Sequence, residues 1–102
     1  MIKIIAVDFD GCLVQNAYPD IGAENSIVVG ALLAEQRKGA KIILWTCRRG
    51  DLLFVAVDWC SKHGIKFDAI NENLPEVITA FGGDTRKIFA NEYWDDRAVR
   101  MP

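Results

Sequence analysis

The sequence predicts a three-layer α/β fold: a Rossmann-like parallel sheet with helices on its faces. Three observations predict it. Short apolar runs alternate with amphipathic stretches of helical length. The runs are apolar almost throughout, as in strands buried on both faces. The order strand, helix, strand, helix, strand then requires right-handed crossovers within one sheet.

Each element has its own signal. Met1–Val7 is the first strand, with Ile2, Ile4, Ile5, Ala6 and Val7 nearly continuous. Ser26–Lys38 is a helix that Ser26 can cap and Gly39 can end, with Val28, Val29, Leu32 and Leu33 on one face. Lys41–Thr46 (K-I-I-L-W-T) is a second buried strand. Asp51–His63 is a second helix, with Leu52, Val55, Ala56, Trp59 and Cys60 at helical spacing. Asp51 suits its positive end, and His63 is a cation at its close, before the stop at Gly64. Ile65–Ile70 reads as a short third strand. Within 71–84, Pro75 can open a short helix through Phe81 before Gly82-Gly83 interrupt it. Ile88–Trp94 reads as a fourth strand, although Asn91 and Glu92 are polar for that role. The aromatics Trp45, Trp59 and Phe54 read as core.

Composition narrows the class. The 102 residues suit one domain, 1–102, with 51% hydrophobic and 25% charged residues, a globular mixture. The formal net charge of −2 shows no basic excess, so no dedicated nucleic-acid surface is expected. No apolar stretch is long enough to span a membrane, and the N-terminus carries no signal-peptide pattern. Cys12, Cys47 and Cys60 have no CxxC spacing, which fits a reducing cytoplasm better than a disulfide framework or a zinc site.

Chemistry is expected beyond the carboxyl ends of the strands. The first strand ends in Asp8-Phe9-Asp10-Gly11, the second in Thr46-Cys47-Arg48-Arg49 and the fourth in Asp95-Asp96-Arg97, with Lys87 just before it. If these strands are neighbours, several carboxylates converge. Two carboxylates at about 4 Å repel by roughly 4 kcal/mol at an effective dielectric of 20, so such a cluster needs a cation or a shared proton. Oxygen donors without histidine or thiolate partners favour a hard ion, Mg²⁺ above all. Gly11 permits a tight turn whose N–H groups can cradle phosphate oxygens. Thr46 offers a hydroxyl and Lys87 a point charge. Together these groups suit a phosphoryl group in transfer.

The same residues resemble the haloacid dehalogenase (HAD) superfamily of phosphohydrolases, over nearly the whole chain. Asp8-Phe9-Asp10-Gly11-Cys12 is similar to its first motif, with Cys12 in place of the common Thr. Leu44-Trp45-Thr46 is similar to the second. Lys87 stands where the third places a lysine, and Asp95-Asp96 resembles the acidic fourth. The resemblance implies a Mg²⁺-dependent phosphomonoester hydrolase. Asp8 would be the nucleophile that forms an aspartyl-phosphate, and Asp10 the general acid and then base. Asp8, the Asp10 main-chain carbonyl and Asp95 would bind the metal, with Asp96 as a ligand or beside one. Thr46 and Lys87 would complete the catalytic set by holding phosphoryl oxygens. The second aspartate, Asp10, marks phosphatases rather than dehalogenases.

Spacing bears on the substrate. From Gly11 to Trp45 there are 35 residues, and from Cys47 to Arg86 there are 40. Once helices and strands are subtracted, neither gap holds a cap domain of about 50 residues. A capless, open site is expected, one that takes a phosphorylated small molecule or macromolecule end, or is covered by another subunit of a homo-oligomer. The stretch 13–25 would form a mobile flap. Gly11, Cys47, Arg48 and Arg49 are the candidate substrate contacts, although plain surface charge is the favoured reading of the two arginines. The family core continues to a further helix and strand, so the resemblance implies a core lacking its last strand, its fourth strand an edge prone to pairing. Two other readings stand beside the hydrolase. One is a non-catalytic phosphate-binding or interaction module on the same fold. The other is a receiver-like domain, disfavoured because an acidic pair follows Lys87.

Overall fold

In a computed structural model, residues 2–101 are described. Met1, which the sequence places in the first strand, lies outside them, as does Pro102. The elements are β1 (Ile4–Val7), α1 (Ser26–Arg37), β2 (Lys41–Leu44), α2 (Gly50–Lys62), β3 (Ala69–Ile70), α3 (Pro75–Phe81) and β4 (Glu92–Trp94). The four strands form a parallel sheet in the order β3-β2-β1-β4. The three-layer α/β architecture expected from the sequence is the one observed, without an inserted domain among the described residues.

The period-two geometry of strands divides the core. Ile5 and Val7 of β1 and Ile42 and Leu44 of β2 face α1 and α2, meeting Val29, Leu32, Ala56 and Cys60. Ile4, Ala6 and Ile43 face the other way, against Leu74, Val77, Ile88 and Ala90. Both faces of β1 and β2 are covered, which is why their runs are apolar throughout. Phe54 departs from expectation and is 71% exposed. It lies two residues from buried Ala56, about 200° around the helix, so it faces away from the sheet.

The ends of elements shift for identifiable reasons. Asn25, rather than Ser26, caps α1, its side chain accepting from the Val28 N–H. The third strand begins only at Ala69, because the Asp68 carboxylate takes the Ile42 N–H at 2.8 Å, where a ladder carbonyl would otherwise sit. The fourth strand begins only at Glu92. Asn91 starts the pairing by exchanging two bonds with Ile4: its side-chain oxygen accepts the Ile4 N–H at 2.7 Å, and its own N–H donates to the Ile4 carbonyl at 2.8 Å. Glu92 meets Lys3 at 2.9 Å. The polar residues that counted against this strand are therefore what dock it.

Asn73 anchors the face opposite α1 and α2. It is buried, donates to Asp84 at 2.7 Å and to the Thr85 carbonyl at 3.1 Å, and accepts from the Phe89 N–H at 2.7 Å. These bonds hold the segment that carries Ile88 into the core. Asn73→Ala is expected to cost about 2–3 kcal/mol, because it orphans buried groups. The melting temperature should fall by about 10–20 °C. A thermal melt that moves by less than 3 °C would refute the anchoring role.

Candidate functional site

Register builds the site. Val7 is level with Leu44 on one side and Trp94 on the other, and Leu44 is level with Ile70. The residues that follow, Asp8, Trp45, Asp95 and Asn71, therefore share one rim. Main-chain bonds continue the ladder there: Asp8 N–H to Trp94 O at 2.9 Å, Trp45 N–H to Val7 O at 2.9 Å, and Asn71 N–H to Leu44 O at 2.8 Å.

Three carboxylates converge on this rim. Oxygens of Asp8, Asp95 and Asp96 all lie within 4.8 Å of one another. Gly11 makes room for the third. Its φ is +81°, and a Cβ there would stand 2.4 Å from an Asp96 oxygen. Only glycine satisfies both demands. The donor set is all oxygen and carries formal charge −3 when ionised, which suits a hard divalent cation such as Mg²⁺. Burial, followed by the charges of Asp95, Asp10 and Asp96, raises the Asp8 carboxyl to about 6, opposed by a bond from the Phe9 N–H.

Asp10 is treated differently. Its two oxygens accept from Arg48 Nε and Nη2, each at 2.8 Å. The remaining Arg48 donors reach the carbonyls of Pro19 (3.3 Å), Leu52 (3.2 Å) and Asp20 (2.9 Å). All five guanidinium N–H groups are thus satisfied. The Arg48 carbon also lies 5.1 Å from the Phe9 ring centroid and 5.3 Å from that of Tyr18.

These contacts correct several expectations. Arg48 is neither a surface charge nor a free substrate contact; it is 2% exposed. The Asp10 carboxylate stands outside the acidic cluster because the guanidinium holds it. The expected phosphate cradle is already filled by main-chain bonds: Gly11 N–H goes to Val14 O, and those of Cys12, Leu13 and Val14 go to Phe9 O. The flap is fastened. Gln15 bonds Ala23 and Asn25 bonds Leu13 across its base, Leu13 and Val14 are core, and Arg48 grips its tip.

The remaining predicted residues divide. Thr46 and Cys47 line a cleft of about 460 Å³ together with Asp8, Asp10, Asp95 and Arg48. A second compartment of about 390 Å³ shares Asp8, Thr46, Cys47 and Asp95 and adds Trp45 and Asn71. The Thr46 hydroxyl accepts from the Arg48 N–H at 3.1 Å, which leaves its own proton free to donate. Lys87 is not brought to the cleft: it is exposed, with its ammonium 5.9 Å from the Tyr93 ring centroid. Arg49 is exposed at the N-cap of α2 and lines neither compartment. Cys12 is buried, its thiol pushed up to about 12 chiefly by burial, and donates to Trp94 O at 3.5 Å.

Sequence reasoning gave no role to Asn16 or Asn71, placed Tyr18 only within the flap and named Arg97 only as a strand-end residue. Asn16, Tyr18 and Arg97 line the larger compartment. Asn71, at φ +54°, locks Thr46 by accepting its N–H at 2.8 Å and donating to its carbonyl at 2.9 Å. An asparagine just past a short strand was a usable signal, because Asn tolerates the left-handed region.

Fold and site together define a parallel α/β domain with an acidic cleft at the carboxyl rim of its sheet. A solved structure of a conserved protein coded by a locus from Bacteroides thetaiotaomicron is 40% identical, covers 97% of this chain and 79% of that one, and superposes with a TM-score of 0.85. This chain belongs to the same family as that conserved protein. No protein-family model and no curated protein matches the chain.

Two expectations follow from the geometry. Arg48→Met leaves the Asp10 carboxylate and three carbonyls without their partner and should cost about 3–5 kcal/mol in denaturant unfolding. The double variant with Asp10→Asn should recover part of that loss, and a single variant within 1 kcal/mol of the parent would contradict the strut. Asp8 has the opposite sign. Because its folded carboxyl titrates near 6 and its ordinary value is 3.8, ionisation weakens the fold as pH rises through that interval. Asp8→Asn should therefore stabilise the metal-free protein by about 1–3 kcal/mol at pH 7.5. The gain should fade as pH falls towards 4. A pH-independent gain would show that ionisation is not the cause.

Proposed function

We propose that this chain is a divalent-metal-dependent phosphomonoester hydrolase of haloacid dehalogenase type, with Mg²⁺ its metal. The observation that carries the reading is the convergence of Asp8, Asp95 and Asp96 beside a cleft that Thr46 also lines. The order of the four motif-like elements along the chain supports it. Asp8, Asp95 and Asp96 would hold the metal, with the Asp10 carbonyl as the resemblance implies. The bound metal would supply charge neutralisation between carboxylates and phosphate.

Asp8 is the nucleophile. Its oxygen bonds to phosphorus as the ester P–O bond breaks, and water later releases phosphate from the aspartyl-phosphate. Asp10, which lines the cleft with its carboxylate held by Arg48, is the acid and base of these steps. The Thr46 hydroxyl donates to a phosphoryl oxygen. Arg97, which lines the cleft where Lys87 does not, takes the electrostatic part the resemblance gives to Lys87. The three free thiols suit a reducing cytoplasm. No helix among the described residues is long and apolar enough to cross a membrane.

One observation favours a second reading, a phosphate-binding module without turnover: both Asp10 oxygens already accept bonds from Arg48. A chromogenic phosphate ester separates the two. The hydrolase reading expects turnover with Mg²⁺, none with EDTA, and a loss on the order of 10³-fold or more in Asp8→Asn. Hydrolysis that persists in that variant defeats the assigned nucleophile. Phosphate binding without hydrolysis of any phosphomonoester in a broad panel favours the module.

A further inference from the structure

The larger compartment holds more than a phosphoryl group needs. At about 460 Å³ it falls in the range of small-molecule sites. Tyr18 forms part of its wall, and the residue is 56% exposed although one side of its ring lies against the Arg48 guanidinium. Its mounting is firm. The Tyr18 N–H donates to Asn16 Oδ1 at 3.3 Å, the Asp20 N–H closes the turn on Ala17 O at 2.9 Å, and the next carbonyl, Pro19 O, accepts from Arg48. Beneath the guanidinium lies Phe9, wholly buried and packed edge-on against Trp59 at 5.7 Å. Tyr18 is therefore the outer leaf of a stack rooted in the core. A flat group placed on it would lose little to ordering of the ring.

The polar lining points the same way. A sugar or polyol would want carboxylates free to accept its hydroxyl protons. Here those of Asp8 and Asp95 belong to the acidic cluster, and that of Asp10 is held by Arg48. The same compartment is lined by the Asn16 amide, whose oxygen takes the Tyr18 N–H and whose NH₂ can still donate, and by the Arg97 guanidinium, donors that pair with ring nitrogens and carbonyls.

We propose that Tyr18 is a stacking platform for the planar heterocycle of a nucleoside 5′-monophosphate, with Asn16 and Arg97 at the edge of the ring. This rests on the hydrolase reading and gives it a substrate class. In the reaction the bond between phosphorus and the 5′ oxygen breaks. Water supplies a hydroxyl to phosphorus and a proton to the departing oxygen, yielding the nucleoside and inorganic phosphate. The same chemistry occurs at the 5′-phosphorylated end of a strand. The net charge of −2 favours the free nucleotide.

The test compares adenosine 5′-monophosphate and uridine 5′-monophosphate with ribose 5-phosphate under Mg²⁺. Each leaves through the primary C5 oxygen of a ribose, so intrinsic reactivity is closely matched and the base is the difference. The nucleotides should show kcat/KM higher by roughly tenfold, carried mainly by KM, as expected for one base stacked on one ring. Tyr18→Ala should bring that ratio to within about twofold of unity, and Tyr18→Phe should keep it. Equal kcat/KM in the parent protein, or a ratio untouched by Tyr18→Ala, overturns the proposal while leaving a phosphatase. If none of the three is hydrolysed, calorimetry with adenosine 5′-monophosphate and ribose 5-phosphate decides. A Tyr18-dependent preference for the nucleotide upholds the platform and rejects catalysis, whereas equal or absent binding rejects the platform. A 5′-phosphorylated oligonucleotide identifies the source: slower turnover than the mononucleotide supports the free nucleotide, and faster turnover overturns that choice in favour of strand ends.

Discussion

The buried guanidinium of Arg48 is the contact on which the rest of the site depends. A charge without water must find a partner for every proton it carries, or the fold loses several kcal/mol. Here the partners come from three places: the Asp10 carboxylate after β1, the Pro19 and Asp20 carbonyls of the loop over the cleft, and the Leu52 carbonyl in α2. The planar fork therefore sets the distance between segments far apart in sequence. It closes the loop onto the cleft wall and turns Asp10 away from the other acids. A lysine could not replace it, because three donors on a point charge cannot span that geometry.

The second constraint is the crowding of acids at the sheet rim. Parallel register brings Asp8 and Asp95 side by side whether or not their charges favour it, and the missing side chain at Gly11 admits Asp96. The fold holds this repulsion against the favourable burial on both faces of β1. Sites that store such tension commonly release it on a ligand. Neutral packing thus sustains an arrangement that the acids would not adopt by themselves.

Much of this was legible in the chain. The apolar runs of β1 and β2 and the glycine stops announced the layers, and Pro75 with Gly82 marked α3 to the residue. The acids at strand ends were readable because their types and order were sufficient. Other features were not readable. Arg48 and Arg49 are adjacent and chemically alike, yet one is buried and the other exposed. Lys87 had the right type and order but lies over Tyr93. Tyr18 gave no periodic signal because its loop has no period.

The linear order of residues determined the alternation of strands and helices, the burial of the central strands and the identity of the acids at their ends. These are local matters of propensity and pattern, in which each residue is read against its neighbours. Only the tertiary structure decided which arginine became the internal strut, which carboxylates share a cation-sized space, and which ring lines the cleft. Those outcomes turn on distances between segments tens of residues apart. Register and chain crossing set such distances, and no local pattern encodes them.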